Sequence, residues 1–313
     1  FGAARARSGT GSRSLRAWAL GLPLAAGEFD IVHFEYSGIA VSYLDVLSLL
    51  APAKLIVSCR GAAEQITPLV DAKRAEGLRA MFAVVDRVHC VSNDMVDTVR
   101  QYGLDPRRAF VNYPSIDLGE FRRLRPYRAA TEGPVRIVST GRLHWKKGFE
   151  YALLAVRKLL DAGHDVSYAI LGGGPEEERL RVTISDLRLA GCVELRGRQP
   201  SGAVRSALEE ADIYLLPSVS EGLSNAALEA MAMELPVVST SAGGMAEAID
   251  DGLEGLLVPT RDADALARRI EDLLRDPGRR AEMGRAGRRR VERQFSLEGQ
   301  TARFVEEYER CRR

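Results

Sequence analysis

Two carboxylates, Glu221 and Glu229, stand either side of a loop and a helix start, with seven residues between them. Before them Ile213 to Leu216 is a short apolar run that reads as a buried strand. Pro217, Ser218 and Gly222 break it into a loop, and from Ser224 or Asn225 the residues are good helix formers behind a capping residue. A helix N-terminus offers unpaired N–H groups and partial positive charge, which suits a phosphate. Phosphate would repel the glutamates, but sugar hydroxyls would donate to them. A strand-end site of this make-up suits a nucleotide sugar. The plainer reading is a surface helix with two solvated glutamates, and a pair of glutamates alone favours it.

A second constellation lies at Gly141-Arg142-Leu143-His144-Trp145-Lys146-Lys147-Gly148, again after an apolar run. Gly141 allows a tight turn. Arg142 grips a diphosphate bidentately and Lys147 adds a point charge, which a diphosphate leaving group needs as negative charge grows on it. A basic surface loop fits the same residues equally. Gly172-Gly173-Gly174-Pro175 permits close approach of backbone or ligand, but lacks the spacing of a dinucleotide fingerprint or a P-loop. By itself it reads as a plain strand-to-helix turn. Gly197-Arg198 follows the next strand and would lie near a nucleobase if the diphosphate sits at Arg142 and Lys147.

The elements that must position these loops alternate. Strands are expected at 30–34, 54–61, 87–92 and 109–112, with helices over 39–50, 71–85 and 93–102. A basic stretch with Pro126, Gly133 and Pro134, at 119–134, reads as a linker, and Arg122-Arg123-Leu124-Arg125 as a solvated face. Strands then return at 135–140, 166–171, 193–196, 213–216, 236–240 and 255–258, enough for a doubly wound parallel sheet with ligands at the strand C-termini. Helices close the chain over 262–275, 279–293 and 297–311. The division is therefore 1–125, an N-terminal domain thin in strands, and 126–296, a donor-binding domain.

Composition excludes several classes. A net charge of +1 with 28% charged residues gives no global signal for nucleic acid. Cys59, Cys90, Cys192 and Cys311 are scattered, as are the four His, so neither a disulfide framework nor a metal cluster is visible, and a cytoplasmic setting is expected. His33 and His89 read as structural. The apolar run 17–26 is too short to span a bilayer. Residues 1–16 carry Arg, Ser and Gly without an acid. They read as a loop leading into a helix over 14–25, although Arg residues with Trp18 could touch an anionic membrane surface.

Taken in order, GRLHWKKG, LGGGPEEERL, ADIYLLPSVSEGLSNAALEAMAMELPVVSTSAGGMAE and DGLEGLLVP resemble the retaining glycosyltransferases of family 4, the group 1 glycosyl transferases. The resemblance runs from about residue 30 to the C-terminus and is strongest over 135–260. It implies an α/β chain of the GT-B fold, two Rossmann-like parallel-sheet domains, with 297–313 crossing back to complete the N-terminal, acceptor-side one. It implies that Arg142 and Lys147 hold the donor diphosphate, Glu221 meets the donor sugar ring and Glu229 the ribose hydroxyls. Gly141, Gly172, Gly174, Arg198 and the backbone of Leu223, Ser224, Asn225 and Ala226 complete the donor site. It further implies retention at the anomeric carbon, with no metal or other cofactor. The donor would be a UDP- or GDP-sugar. The acceptor would be a glycan or lipid-linked hydroxyl in cell-surface polysaccharide or glycolipid synthesis, with peripheral membrane contact through the N-terminal domain.

Two departures matter. The family's opening strands and their Gly-rich loop are missing, which suits a non-catalytic nucleotide-sugar-binding fragment as the rival reading. A nucleotide-sugar hydrolase or phosphorylase is a further alternative. Where many members carry a His after the second strand, this chain has Arg60, which could bind a phosphate or a carboxylated sugar, or be a surface arginine.

Overall fold

The computed structural model describes residues 27–127 and 133–313. The helix expected over 14–25, with Trp18 and its membrane contact, lies outside the described residues. The chain divides into two compact units. One runs to Tyr113 and takes in Thr301–Arg313; the other is Pro114–Gln300.

The first unit is built on four parallel strands in chain order: β1 (Ile31–Phe34), β2 (Lys54–Cys59), β3 (Arg87–Cys90) and β4 (Ala109–Val111). After Lys54 every residue of β2 is buried, as a strand covered on both faces requires. One face packs on the helix Ala72–Val84, which Asp71 starts by accepting the backbone N–H groups of Lys73 and Arg74. The stretch 39–50 is not one helix. It breaks into Ser37–Ser42, Leu44–Leu47 and a 3-10 turn at Ser48–Leu50, because Tyr43 leaves helical geometry (φ −107°, ψ 9°).

The last helix, Leu297–Arg312, covers the other face of this sheet, seating Phe304, Tyr308 and Cys311 against Ile31, Ile56 and Phe110. Beneath it runs a chain of hydrogen bonds whose direction can be deduced. His89 Nε2 lies 2.8 Å from the carbonyl of Asn112, so it must donate. Its Nδ1 therefore accepts from Ser58 Oγ at 2.8 Å, Ser58 accepts from His33 Nε2 at 2.9 Å, and His33 Nδ1 accepts from Tyr308 Oη at 2.7 Å. The scheme uses every ring nitrogen with both imidazoles neutral. Burial holds His33 below its usual range and lowers His89 to about 4. The structural role expected for both residues is what the geometry shows.

The second unit holds six parallel strands: β5 (Val135–Thr140), β6 (Val166–Leu171), β7 (Val193–Leu195), β8 (Ile213–Leu216), β9 (Val237–Thr240) and β10 (Gly255–Val258). Their order is β10-β9-β8-β5-β6-β7. The chain winds outward from β5 in one direction, then returns to β8 on its other side. β5 and β8 therefore flank the switch point, outside whose carboxyl ends ligands bind in open α/β sheets.

In the basic run before this sheet Arg122, Leu124 and Arg125 are exposed, as a solvated face requires, but Arg123 turns inward. Arg123 is half-buried and donates to the carbonyls of Met233 at 2.7 Å and Glu209 at 2.8 Å, at the C-terminal ends of the helices Asn225–Ala232 and Ser201–Glu210. Phe121 is buried beside it in sequence. Residues 114–127 therefore pack with the second unit, and the division falls at Tyr113/Pro114 rather than 125/126.

The histidine chain makes a prediction. The unfolded chain takes up a proton on His89 near pH 6.5, the folded chain only near 4. Stability from this group is complete above pH 6.5 and is lost as pH falls towards 4, by on the order of 3 kcal/mol. Denaturant melts between pH 7 and 4.5 check this; a pH-independent midpoint in that window would count against it.

Candidate functional site

The switch point gathers the loops that carry the chemistry. Thr140 ends β5 and leads into Gly141, Arg142 and Lys147; Leu216 ends β8 and leads into Ser218 and Glu221. The two loops are pressed together. Gly148 adopts φ +63°, and a Cβ there would stand 2.1 Å from the carbonyl oxygen of Pro217. Val219 N–H donates to the carbonyl of Lys146 at 2.7 Å. Lys147 Nζ then reaches Glu221 Oε1 at 2.5 Å, with the two side chains only 16% and 11% exposed. Ser218 Oγ donates to the same oxygen at 2.6 Å, and Thr240 of β9 fixes Ser218 by donating to its carbonyl at 2.5 Å.

Lys147 is thus held against Glu221 through one of the three donors of its ammonium group. Arg142 is exposed and has no ion pair with a described residue, so its guanidinium fork is available. Lys146 is a third cation that the sequence reading passed over. Burial lowers its pKa, against the opposing pull of Glu221. Its position next to Lys147 was the available signal. Trp145 is exposed, and its ring lies 5.7 Å from that of His144.

The glycine-rich loop after β6 serves the backbone. A Cβ on Gly172 would stand 1.8 Å from the Gly141 carbonyl oxygen, and one on Gly174 2.2 Å from that of Leu143. Leu143 N–H donates to the Gly173 carbonyl at 3.1 Å, and Gly172 N–H to that of Gly197 at 2.8 Å. The loops after β5, β6 and β7 are laced side by side, and Arg198 lies next to Gly173.

The helix Asn225–Ala232 begins where β8's loop ends. Ser224 stands in the capping position but does not cap, contrary to expectation. Its side chain makes no hydrogen bond to the helix, and its buried hydroxyl has no partner among the described residues. The first N–H groups of the helix are therefore left for another acceptor. Leu223 is buried, while Asn225 and Ala226 reach the surface. Glu229, one turn on, is half-buried. Burial, reinforced by the Glu120 carboxylate, pushes it up to about 7. Glu229 and Glu221 also both add to the upward shift that burial imposes on the Tyr214 hydroxyl, so the two carboxylates look onto one locality. Arg60, in the first unit, instead pairs with Glu35. No group of three His, Cys, Asp or Glu among the described residues is arranged to hold a metal ion, and none of their helices is long and apolar enough to cross a membrane.

The family model "Glycosyl transferases group 1" matches residues 121–290, more than half of the chain and the whole of this loop set. The chain belongs to that family. The model "Glycosyltransferase Family 4" matches residues 4–120. Among curated proteins, WcaL of Salmonella typhimurium is 33% identical over 266 residues, covering 81% of this chain and 63% of that protein. The amylovoran biosynthesis glycosyltransferase AmsK of Erwinia amylovora is 32% identical over 280 residues, covering 88% and 68%. This group 1 chain thus spans about two thirds of the length of such relatives. Sucrose-phosphate synthase from Thermosynechococcus elongatus has the same GT-B fold, with a TM-score of 0.84 over 94% of this chain and 77% of that one at 21% identity. Anabaena HepE, solved with UDP and glucose, gives 0.83 over 96% and 83% at 17% identity.

The contact between the two loops can be tested apart from ligand. Gly148 and Gly197 share left-handed φ values of +63° and +66°, but a Cβ on Gly197 meets nothing within 4 Å. Gly197→Ala is expected to cost about 1 kcal/mol for backbone strain alone. Gly148→Ala adds a clash and should cost about 2–4 kcal/mol. Equal losses in denaturant unfolding would show that the Pro217 contact does not constrain the loops.

Proposed function

We propose that the chain is a retaining glycosyltransferase that moves a sugar from a nucleoside diphosphate to a hydroxyl of a glycan or lipid-linked acceptor, in polysaccharide or glycolipid synthesis. The observation that carries this reading is the Lys147–Glu221 pair across the switch point, with Arg142 on the same loop as Lys147 and without an ion pair among the described residues. In this reading Arg142 and Lys147 grip the diphosphate, the open N-terminus of Asn225–Ala232 shares that charge, and Glu229 accepts the ribose hydroxyls. Glu221, placed by Lys147 and Ser218, faces the donor sugar and stabilises positive charge at the anomeric carbon. The bond from that carbon to the β-phosphate oxygen breaks as the acceptor oxygen bonds on the same face. The acceptor proton passes to the departing phosphate. Charge on the leaving group is met by side chains and helix amides, so the reading calls for no metal.

AmsK, which acts in amylovoran biosynthesis by its name, supports the polysaccharide setting. HepE, solved with UDP, makes UDP the first nucleotide to test beside GDP and ADP. Arg142→Ala should weaken binding of the preferred nucleoside diphosphate by about tenfold or more in calorimetry, the range of a charge-assisted hydrogen bond. Glu221→Gln should abolish transfer while binding persists, because it leaves Lys147 free for phosphate. Near-normal turnover of Glu221→Gln would remove Glu221 from the mechanism. Nucleotide binding without transfer in the unaltered chain would instead favour a binding-only protein.

Glu229 supplies a pH test. Its carboxyl titrates near 7 in the folded chain. The ionised form is a charged, acceptor-only group, whereas protonation removes the charge and turns one oxygen into a donor, so nucleotide affinity should fall as pH drops below 7. The fall should be steeper in the native chain than in Glu229→Gln, which removes the titration while the nucleotide's own phosphate still titrates. Superimposable pH profiles would exclude Glu229 from the ribose contact.

A further inference from the structure

We infer that Glu35, Tyr36 and Arg60 form a platform for an uncharged sugar ring of the acceptor. The inference rests on the glycosyl-transfer reading above and gives it an acceptor chemistry. β1 and β2 are parallel neighbours, and these three residues follow their carboxyl ends. The Arg60 guanidinium lies over the Tyr36 ring, 5.5 Å from its centroid, and pairs with the Glu35 carboxylate. The Tyr36 side of this cluster is open: the residue is 56% exposed. A tyrosine more than half exposed, with an arginine over one face of its ring and a carboxylate paired to that arginine, offers a sugar an apolar surface, hydroxyl acceptors and hydroxyl donors together.

Both segments are held in place from below. Buried Glu64 accepts the backbone N–H groups of Arg60 at 3.2 Å and Gly61 at 3.0 Å, and also the hydroxyl of Ser37, next in chain to Tyr36. Arg74 donates to Ser37 Oγ and stands 3.6 Å from Glu64. One buried carboxylate thus ties down the two loops whose tips make the platform, so little ordering remains for a ligand to induce.

The charge decides the class of ring. Glu35 already occupies an anion's place on Arg60, and the pair sums to zero. A phosphate or a uronic acid gains no net attraction there and meets Glu35 directly, whereas neutral hydroxyls can bridge the two groups. This differs from the phosphate or carboxylated sugar that Arg60 suggested in sequence. Because exposed pairs contribute only about 0–1 kcal/mol to folding, variants at these tips should fold.

The test is saturation-transfer NMR on the whole chain with methyl glucoside, methyl galactoside, methyl mannoside and methyl glucuronide, beside UDP calorimetry on the same samples. At least one neutral glycoside should bind, with the glucuronide weaker. Tyr36→Ala should weaken the neutral ligand by about fivefold, the size of one aromatic contact, with UDP affinity unchanged. Glu35→Gln should raise glucuronide binding by freeing Arg60. No neutral glycoside signal, a glucuronide bound equally well by the native chain, or an unaltered Tyr36→Ala would each overturn the inference. Loss of UDP binding by the native chain would count against the donor reading instead, whatever the glycosides show.

Discussion

Everything at the candidate site depends on two loops that cannot move apart independently. Gly148 admits the Pro217 carbonyl where any side chain would collide. The Lys146 carbonyl accepts from the facing loop, and the Lys147–Glu221 pair closes the contact. With little exposure on either side, removing one partner would leave a poorly solvated charge behind. The arrangement thus places a cation and a carboxylate at fixed separation before any ligand arrives, as the electrostatic stabilisation in the proposed transfer would require.

That local lock is one link in a lattice of backbone contacts along the strand ends. The loop after β6 bonds to those after β5 and β7, and Thr240 at the end of β9 holds the loop after β8. Side chains could not mediate this as well. Direct carbonyl-to-glycine approach leaves no rotamers to order. The helix Asn225–Ala232 then enters with its first N–H groups uncapped, and its buried neighbour Ser224 keeps an unpartnered hydroxyl. A buried polar group without a partner carries a stability cost, and here it coincides with the end of the helix that the proposed phosphate would use.

The first unit solves a different problem, which is how to cover both faces of a four-stranded sheet. The last helix supplies the missing layer through Phe304, Tyr308 and Cys311. The Tyr308–His33–Ser58–His89 chain then makes that packing specific by satisfying each buried polar atom in one direction only. Glu64 plays a comparable part at the sheet's rim, where the amides of Arg60 and Gly61 converge on it.

The sequence by itself determined the strands, through local periodicity, and the glycines and charges of the strand-end loops, and the motifs in those loops carried the group 1 resemblance. It also placed Glu221 and Glu229 one loop and one helical turn beyond β8. Only tertiary structure decided which groups meet. Nothing local says that Lys147 pairs with Glu221, since their loops become neighbours only when β8 returns beside β5. Arg123 looked like one of a solvated basic run, yet it turns inward because two helix C-termini converge on it with carbonyls to fill. Arg60 reads in sequence as an anion ligand or a surface arginine, and the parallel pairing of β1 with β2 gave it Glu35 and Tyr36. The break at Tyr43 and the idle cap at Ser224 were equally hidden, because packing overrides the modest propensities that sequence reports.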